Sequence, residues 1–366
     1  MKNWSRLVLG NVLVALLMLA LVEFSTRIVW TAKACWRGSC DFSSLRAVTI
    51  ADPEISRNYG FSRFDGSLGH VPNEGFDAVI DIPGWKNSKI TIDSRGFRSN
   101  DNPAAISTSH RTLTLGDSFT FGSQVSNAET WAACLERKTA AHVDNAGVFG
   151  YGSAQAIKRG SAIIEQSRAQ PYARVILSVL VAGDFARDRL AYNYGFPRPA
   201  VVKTQAGLAW AEIPDPKVPG TRYNPRKPNG LTLALYQRSL LANRILTRAG
   251  FDPYGDLLSR EHPAAAGKEE IIDWAFEKFS RLDVPEKFVV LQYYADLTAK
   301  ELLEERAVLL RILAKYSIPY VDTYAALAGK DPARHWNKHH TPLGNELVCD
   351  TILARINPVR STPKGG

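Results

Sequence analysis

The sequence predicts an α/β protein: a three-layer α/β/α sandwich with a parallel sheet of about five strands, preceded by an N-terminal transmembrane helix and a small β-rich lead-in. Three observations carry that reading. From residue 111 onward, short apolar runs alternate with helical segments, the pattern of a parallel sheet covered by helices on both sides. The run 173–181 is apolar on both faces, as a buried parallel strand is. Residues 113–124, Leu-Thr-Leu-Gly-Asp-Ser-Phe-Thr-Phe-Gly-Ser-Gln, are a strand feeding a tight turn that opens a helix. Such a turn lifts a side chain off the C-terminal edge of a parallel sheet, where α/β folds place their sites.

The elements follow in order. Lys2 and Arg6 precede an uncharged, almost wholly apolar stretch at 7–22, and apolar residues continue through Phe24, Ile28, Val29 and Trp30. The core of that stretch is short for a span, which needs about 20 apolar residues, so a cleaved signal peptide competes with an anchor. The small residues of Ala32-Lys-Ala34, before Cys35, sit at cleavage-like positions but far from the apolar core. Glu23 and Arg27 are four apart, able to pair on one helical face, and Trp30 sits where an interfacial aromatic would. The expectation is an uncleaved anchor at 1–32, N-terminus cytoplasmic and the remainder exported, because Lys2 and Arg6 stay inside.

Residues 33–108 form the expected lead-in, rich in Gly, Pro, Asn and Asp, with β-like runs at 78–82 and 89–92. The main domain is expected at 109–358 and a tail at 359–366. Its strands are predicted at 111–115, 141–143, 173–181, 287–292 and 318–321. Its helices are predicted at 125–140, 154–166, 299–316 and 343–355; the third carries Leu302, Leu309, Ile312, Leu313 and Tyr316 at helical spacing. A long insertion at about 188–265 carries a helix-like run at 233–249. An insertion of that length is usually functional or a lid.

Composition excludes some classes. Lys plus Arg is 45 against 36 Asp plus Glu, a net charge of +9 spread along the chain. No interleaved aromatic and basic pattern accompanies it, so no nucleic-acid partner is expected; anionic lipid or acidic glycan suits it better. No Cys/His spacing suggests a metal, and no cofactor is implied. Cys35 and Cys40 are close enough for a small disulfide loop, or are two free thiols. Cys134 and Cys349 fall on helices and are expected to be buried small apolar residues.

Ser118 carries the chemistry. A serine at such a turn can attack a carbonyl, and the developing oxyanion then meets N–H groups at the helix start. The plainer reading makes Ser118 a helix cap after a Gly-Asp turn. A phosphate-binding loop is excluded, because no Gly-Lys-Ser/Thr follows.

Gly116-Asp-Ser-Phe-Thr-Phe-Gly122 resembles the first block of the SGNH (GDSL) hydrolase superfamily, membrane-tethered bacterial type. Asn145-Ala-Gly-Val-Phe-Gly150-Tyr-Gly-Ser-Ala-Gln155 resembles the second block, and His339-His-Thr-Pro-Leu-Gly344-Asn the last. Ile90-Thr-Ile-Asp-Ser-Arg-Gly-Phe-Arg98 looks like the lead-in of tethered members, and the resemblance covers roughly 90–355. It implies an SGNH or flavodoxin-like sheet with Ser118 as nucleophile and His339 as base. Ser118 and Gly150 are implied to give the oxyanion-hole N–H groups. His335 fits the last block in part. Two departures stand out. Related sequences place an Asp two or three positions before the histidine; here Asn337 and Trp336 stand there, so Asn337 or Asp331 would orient the ring or the site runs as a Ser–His dyad, with His335 as the alternative base. The third block usually supplies an Asn to the oxyanion hole; here Gly183 stands at that position, followed by the matching Asp184. Asp117, Asn145 and Asp184 are expected to hold loop geometry. The implied activity is an esterase cleaving acyl esters of a small molecule or cell-surface glycan, in the periplasm or outside the cell. An O-acyltransferase using the same site is the first alternative, and a catalytically silent binding or scaffold protein the second.

Overall fold

The computed structural model describes residues 2–36, 62–82, 85–102, 107–193, 196–213, 234–235, 238–249 and 259–356. The chain divides into two compact units, Met1–Asn58 with Pro219–Leu258, and Tyr59–Val218 with Ser259–Gly366.

The second unit holds the five-stranded sheet: β1 (Ser107–Leu115), β2 (Ala141–Asn145), β3 (Arg174–Leu180), β4 (Glu286–Gln292) and β5 (Tyr320–Asp322). The order is β2-β1-β3-β4-β5 and every pairing is parallel. This doubly wound order reverses direction between β1 and β3, so their C-terminal ends open a crevice.

The helices cover both faces because the strands are apolar on both. Val175, Leu177 and Val179 pack with Val289 and Leu291 into one core cluster. That cluster also takes residues of the helices Ser153–Gln166, Lys268–Ser280 and Lys300–Lys315. Ile176, Phe288, Val290 and Val321 face the other way, against the helices Trp131–Thr139 and Pro342–Ile356. Alternating side chains of one strand thus serve two cores.

The sequence expectation of one helix over 125–140 is corrected. A 3₁₀ turn at Asn127–Glu129 is followed by a separate helix, Trp131–Thr139. Thr130 breaks the run: its backbone is extended, and its Oγ1 accepts from Ala133 N at 3.0 Å as an N-cap. The helix Lys268–Ser280 was missed, although Ile271, Ile272, Ala275, Phe276 and Phe279 are buried at helical spacing. Cys134 and Cys349 are buried, but not as free apolar residues. They form a disulfide across 215 residues, because the helices that carry them pack together on the sheet face that presents Val143, Ile176, Phe288, Val290 and Val321. Cys40 lies outside the described residues, and with it the expected Cys35–Cys40 bridge.

Among its described residues the lead-in has two antiparallel hairpins, Ser62–Asp65 with Gly69–Pro72 and Asp77–Ile82 with Trp85–Thr91. Trp85, Ile90 and Ile92 close around Phe121, three residues past Ser118. Arg98 bridges to Asn145 at the end of β2.

In the first unit, Lys2–Trp36 is one helix, α1, and Leu240–Arg248 is another. Within α1, Gly10–Val29 is long and apolar enough to cross a membrane.

Candidate active site

The crevice between β1 and β3 is where the predicted residues meet. β1 ends at Leu115; Gly116 follows at φ +150, where a Cβ would lie 2.3 Å from Thr120 Oγ1 and 3.0 Å from Ser178 O of β3. Only glycine lets the chain turn this close to its neighbouring strand. Asp117 then caps a single helical turn, Ser118–Phe121, its Oδ1 accepting from Phe119 N at 2.8 Å. Ser118 is its first residue. It is 3% exposed, placed by the turn at the strand edge.

His339 comes from the other end of the chain. Trp336–Asn337 pairs antiparallel with His339–His340, and Lys338 forms the tip at φ +65. The Trp336 indole anchors the hairpin by donating to Tyr293 O at 3.1 Å. The result puts His339 Nε2 2.9 Å from Ser118 Oγ.

The partner on the other ring nitrogen is Gln124, six residues past Ser118. His339 Nδ1 lies 2.9 Å from Gln124 Oε1, and the same oxygen takes the His339 backbone N–H at 3.3 Å. A backbone N–H can only donate, so the amide atom facing it is the oxygen. An oxygen there accepts, so Nδ1 carries the proton and Nε2 is left as an acceptor for the serine hydroxyl.

The expected partners stand elsewhere. Asn337 is exposed on the hairpin. Asp331 caps the short helix Pro332–His335 by accepting from Ala333 N at 3.0 Å, and its backbone carbonyl holds His335 Nδ1 at 3.0 Å. His335 is therefore occupied with its own loop.

Gln124 adopts an unusual backbone conformation, φ +73, in a loop braced by the lead-in: Ser88 Oγ donates to Gln124 O at 3.2 Å, and Arg98 to carbonyls on either side. Arg98 is 2% exposed and donates to the carbonyls of Phe121 (2.7 Å), Gly122 (2.5 Å) and Val125 (2.6 Å), and to Asn127 Oδ1 (3.2 Å). Burial lowers the Arg98 guanidinium to about 9. Its charge is met by carbonyls that would otherwise be buried without donors.

Electrostatics set His339 apart. Burial pushes its imidazole down to about 4, with Arg187 and Lys338 acting in the same direction and Asp117 against them. The ring is thus neutral, a base, at ordinary pH. Arg187 was not foreseen from sequence. Its Nη1 donates to Asp117 Oδ2 (2.8 Å), Asp184 Oδ1 (2.6 Å) and Tyr151 O (3.1 Å). Although burial opposes its charge, Asp117 and Asp184 raise its pKa. Asp184 itself is raised well above the carboxylate range by burial and by Asp117. Its Oδ2 accepts from Leu180 N (3.0 Å) and Ser153 Oγ (2.9 Å), tying the end of β3 to the helix Ser153–Gln166. Asn145 spans Thr120 O and Gly147 N at 3.0 and 3.1 Å.

Gly150 sits at φ +73 in the loop after β2. Two buried side chains brace that loop. Arg198 donates to Gly150 O, and His70 donates Nε2–H to Phe149 O at 2.9 Å. Burial pushes His70 down to about 3, so it is neutral. Gly183 has φ −121; a Cβ there would point at Leu180 and at the Tyr294 hydroxyl.

No protein-family model matches the chain, and no curated protein matches it. Solved structures do match, at low similarity. An alpha/beta hydrolase enzyme from the metagenome of Lake Arreo, Spain, has TM-score 0.39 and 11% identity, over 69% of this chain and 97% of its own. A putative lipolytic protein of the G-D-S-L family from Desulfitobacterium hafniense has TM-score 0.36 and 14% identity, over 66% and 97%. A catalytic mutant of an acetylxylan esterase from Geobacillus stearothermophilus has TM-score 0.34 and 13% identity, over 69% and 96%. At these scores the likeness carries no inference about chemistry; the fold rests on the strand order, and the site on the contacts just described.

Proposed function

We propose that this chain is an SGNH-type serine esterase that cleaves acyl esters, with Ser118 as nucleophile and His339 as general base. The observation that carries it is the Ser118 Oγ–His339 Nε2 contact at 2.9 Å, with Gln124 fixing the tautomer from the far side. As Oγ attacks the ester carbonyl carbon, its proton passes to Nε2 and the carbonyl π electrons move to oxygen. The N–H groups of Ser118 and Gly150 are the donors for that oxyanion. The imidazolium then protonates the leaving alkoxide, giving an acyl-serine and an alcohol. Water repeats the sequence from the same base and releases the acid. The orienting oxygen here is an amide, so among the described residues no carboxylate bonds Nδ1 to stabilise the imidazolium. Asp117, whose charge acts on His339, has its Oδ2 3.4 Å from Ser118 Oγ.

The domain is proposed to face the periplasm or outer surface on an uncleaved α1 anchor. The 20 mostly apolar residues Gly10–Val29 span about 30 Å as a helix, Lys2 and Arg6 lie on its N-terminal side, and the Cys134–Cys349 bridge fits an oxidising compartment. An active C-terminal alkaline phosphatase fusion is expected; an inactive one beside an active cytoplasmic reporter reverses the orientation.

The chemistry is tested on the full-length protein with an organophosphonate ester probe. Ser118 is expected to take the label, and Ser118→Ala to lose both label and aryl-ester hydrolysis with an unchanged circular dichroism spectrum. An unlabelled, folded wild-type protein favours the silent scaffold instead. Product analysis with a glycan acceptor separates hydrolysis from acyl transfer.

A further inference from the structure

α1 is an inside-out helix. Every described residue from Gly10 to Val29 is exposed except Glu23, Thr26 and Arg27, and Thr31 is buried one turn beyond. Glu23, Arg27 and Thr31 are spaced by four and form one polar stripe. A helix of a water-soluble domain hides its apolar face and shows its polar one; here the apolar surface faces out and the polar stripe is covered. That arrangement belongs in lipid, where polar side chains turn toward protein.

What covers the stripe is the insertion. The Glu23 carboxylate accepts from Leu240 N (2.8 Å), Leu241 N (2.9 Å), Ser239 Oγ (2.9 Å) and Arg27 Nε (2.6 Å). Arg27 Nη2 donates in turn to Arg238 O at 2.7 Å. Glu23 therefore caps the helix Leu240–Arg248, taking N–H groups that have no partner inside it, while that helix supplies donors to a charge within an apolar span. Glu23 is six residues from Val29, about 9 Å along the axis. The contact thus lies in the outer third of the span, within the roughly 5–10 Å to which an interfacial helix sinks its apolar face.

The rest of the segment suits that depth. Leu235 and Ile245 are 49% and 58% exposed. By composition, residues 219–258 carry six Lys or Arg against two Asp or Glu, a basic excess of the kind that anionic headgroups attract. We propose that residues 234–235 and 238–249 belong to an interfacial element clamped to α1 by Glu23, with the lipid bilayer covering Leu235 and Ile245. The insertion is then a membrane-contacting segment in addition to the anchor, and α1 is a permanent partner of it. This rests on the anchor reading above and is independent of the proposed esterase chemistry.

The test uses the full chain with an N-terminal tag, in vesicles of phosphatidylcholine and phosphatidylglycerol. Cys35 and Cys40 are replaced by Ser, and an NBD fluorophore is placed at Leu235→Cys, Ile245→Cys or the exposed control Glu304→Cys. Brominated lipids are expected to quench the first two labels and spare the third. Solvent-like, unquenched emission at both 235 and 245 in carbonate-resistant, tag-bearing protein overturns the interfacial element while leaving the anchor standing. Loss of the tag overturns both. Glu23→Ala is expected to stay carbonate-resistant, lose part of the quenching, and be cut by trypsin after Arg238 or Arg248 about tenfold faster. Glu23→Gln, which keeps an acceptor oxygen, is expected to lie between. Wild-type quenching and cleavage in Glu23→Ala overturns the clamp.

Discussion

His142 lies at the start of β2, at the N-terminal edge of the sheet; His339 lies beyond the C-terminal edge, against Ser118. Each places a ring nitrogen about one hydrogen bond from a side-chain oxygen, 3.0 Å from Asp144 Oδ1 for His142 and 2.9 Å from Gln124 Oε1 for His339. The oxygens differ in charge, and so do the rings. The Asp144 hydrogen bond raises His142 above its ordinary value, whereas burial without a carboxylate at Nδ1 pushes His339 down to about 4. Asp144 can hold a charge because Arg95, Arg111 and Tyr172 all donate to it, at 2.8, 2.6 and 2.8 Å. Burial alone would raise that carboxyl; these bonds hold it far below its usual range. One end of the sheet is built to keep charge, the other to keep a base uncharged until it takes a proton.

The largest way to break this comparison is to remove each ring. His339→Ala is expected to lower kcat on a soluble aryl ester by about 10⁴-fold or more. His142→Ala and His335→Ala are expected to remain within a few-fold of wild type. If His335→Ala falls furthest, the base is misassigned and the Asp331–His335 loop becomes the better candidate.

The second effect comes from exchanging partners. Gln124→Ala removes the acceptor on Nδ1 and is expected to cost about ten- to a hundredfold in kcat. Gln124→Glu gives His339 what His142 already has. A carboxylate favours the imidazolium, so the His339 pKa rises and the acid limb of the kcat/KM profile moves to higher pH by about one to two units. Wild type should keep its activity down to about pH 5, because its base titrates low. A wild-type acid limb near neutrality, unmoved in Gln124→Glu, would mean that Gln124 does not orient the base.

Gln124 also marks where the sequence stopped being informative. Strands β1 and β3 were legible because a buried parallel strand must be apolar, and the Ser118 turn because only glycine fits at 116. The spacing to Thr341 and Gly344 singled out His339, the proposed base. A glutamine in a turn has no such signature. Its role depends on Arg98, 26 residues upstream, gathering the carbonyls around it. Arg98 stood out only as the last residue of the segment 90–98 that resembles the lead-in of tethered members. Likewise the Cys134–Cys349 bridge depends on two helices meeting across 215 residues, which neither helix announces locally. Long-range pairing of individually ordinary residues is what the chain alone left hidden.

A smaller, gain-of-function test concerns Gly183. Its φ of −121 removes the objection that a side chain there would be strained. A Cβ would nonetheless lie 2.9 Å from Leu180 Cδ2 and 3.3 Å from the Tyr294 hydroxyl, so Leu180 must give way. An added oxyanion donor is worth about 10²–10³ in rate when well placed. With the Leu180 displacement set against it, Gly183→Asn is expected to raise kcat by about tenfold with little change in KM. A stable Gly183→Asn protein with no gain on any ester would show that Gly183 does not mark the missing donor.

The smallest effect reads the two histidines through stability, where their signs must oppose. His142 has a folded pKa above its unfolded value of about 6.5. Below that value it is protonated in both states and its bond to Asp144 contributes fully; the contribution is lost as pH rises through the folded pKa. His142→Ala should therefore lower Tm most near pH 5 and least near pH 9, by a few degrees at most because the ring is partly exposed. His339 has a folded pKa below its unfolded value. As pH falls from about 6.5 toward 4 the unfolded chain takes up a proton that the folded ring refuses, so this residue costs stability in acid. The Tm of His339→Ala relative to wild type should therefore improve as pH falls, opposite to His142→Ala. Differential scanning calorimetry of both variants from about pH 5 to pH 9 checks this. Parallel trends would mean the two rings are not held in opposite charge states, and the contrast between Asp144 and Gln124 would lose its physical basis.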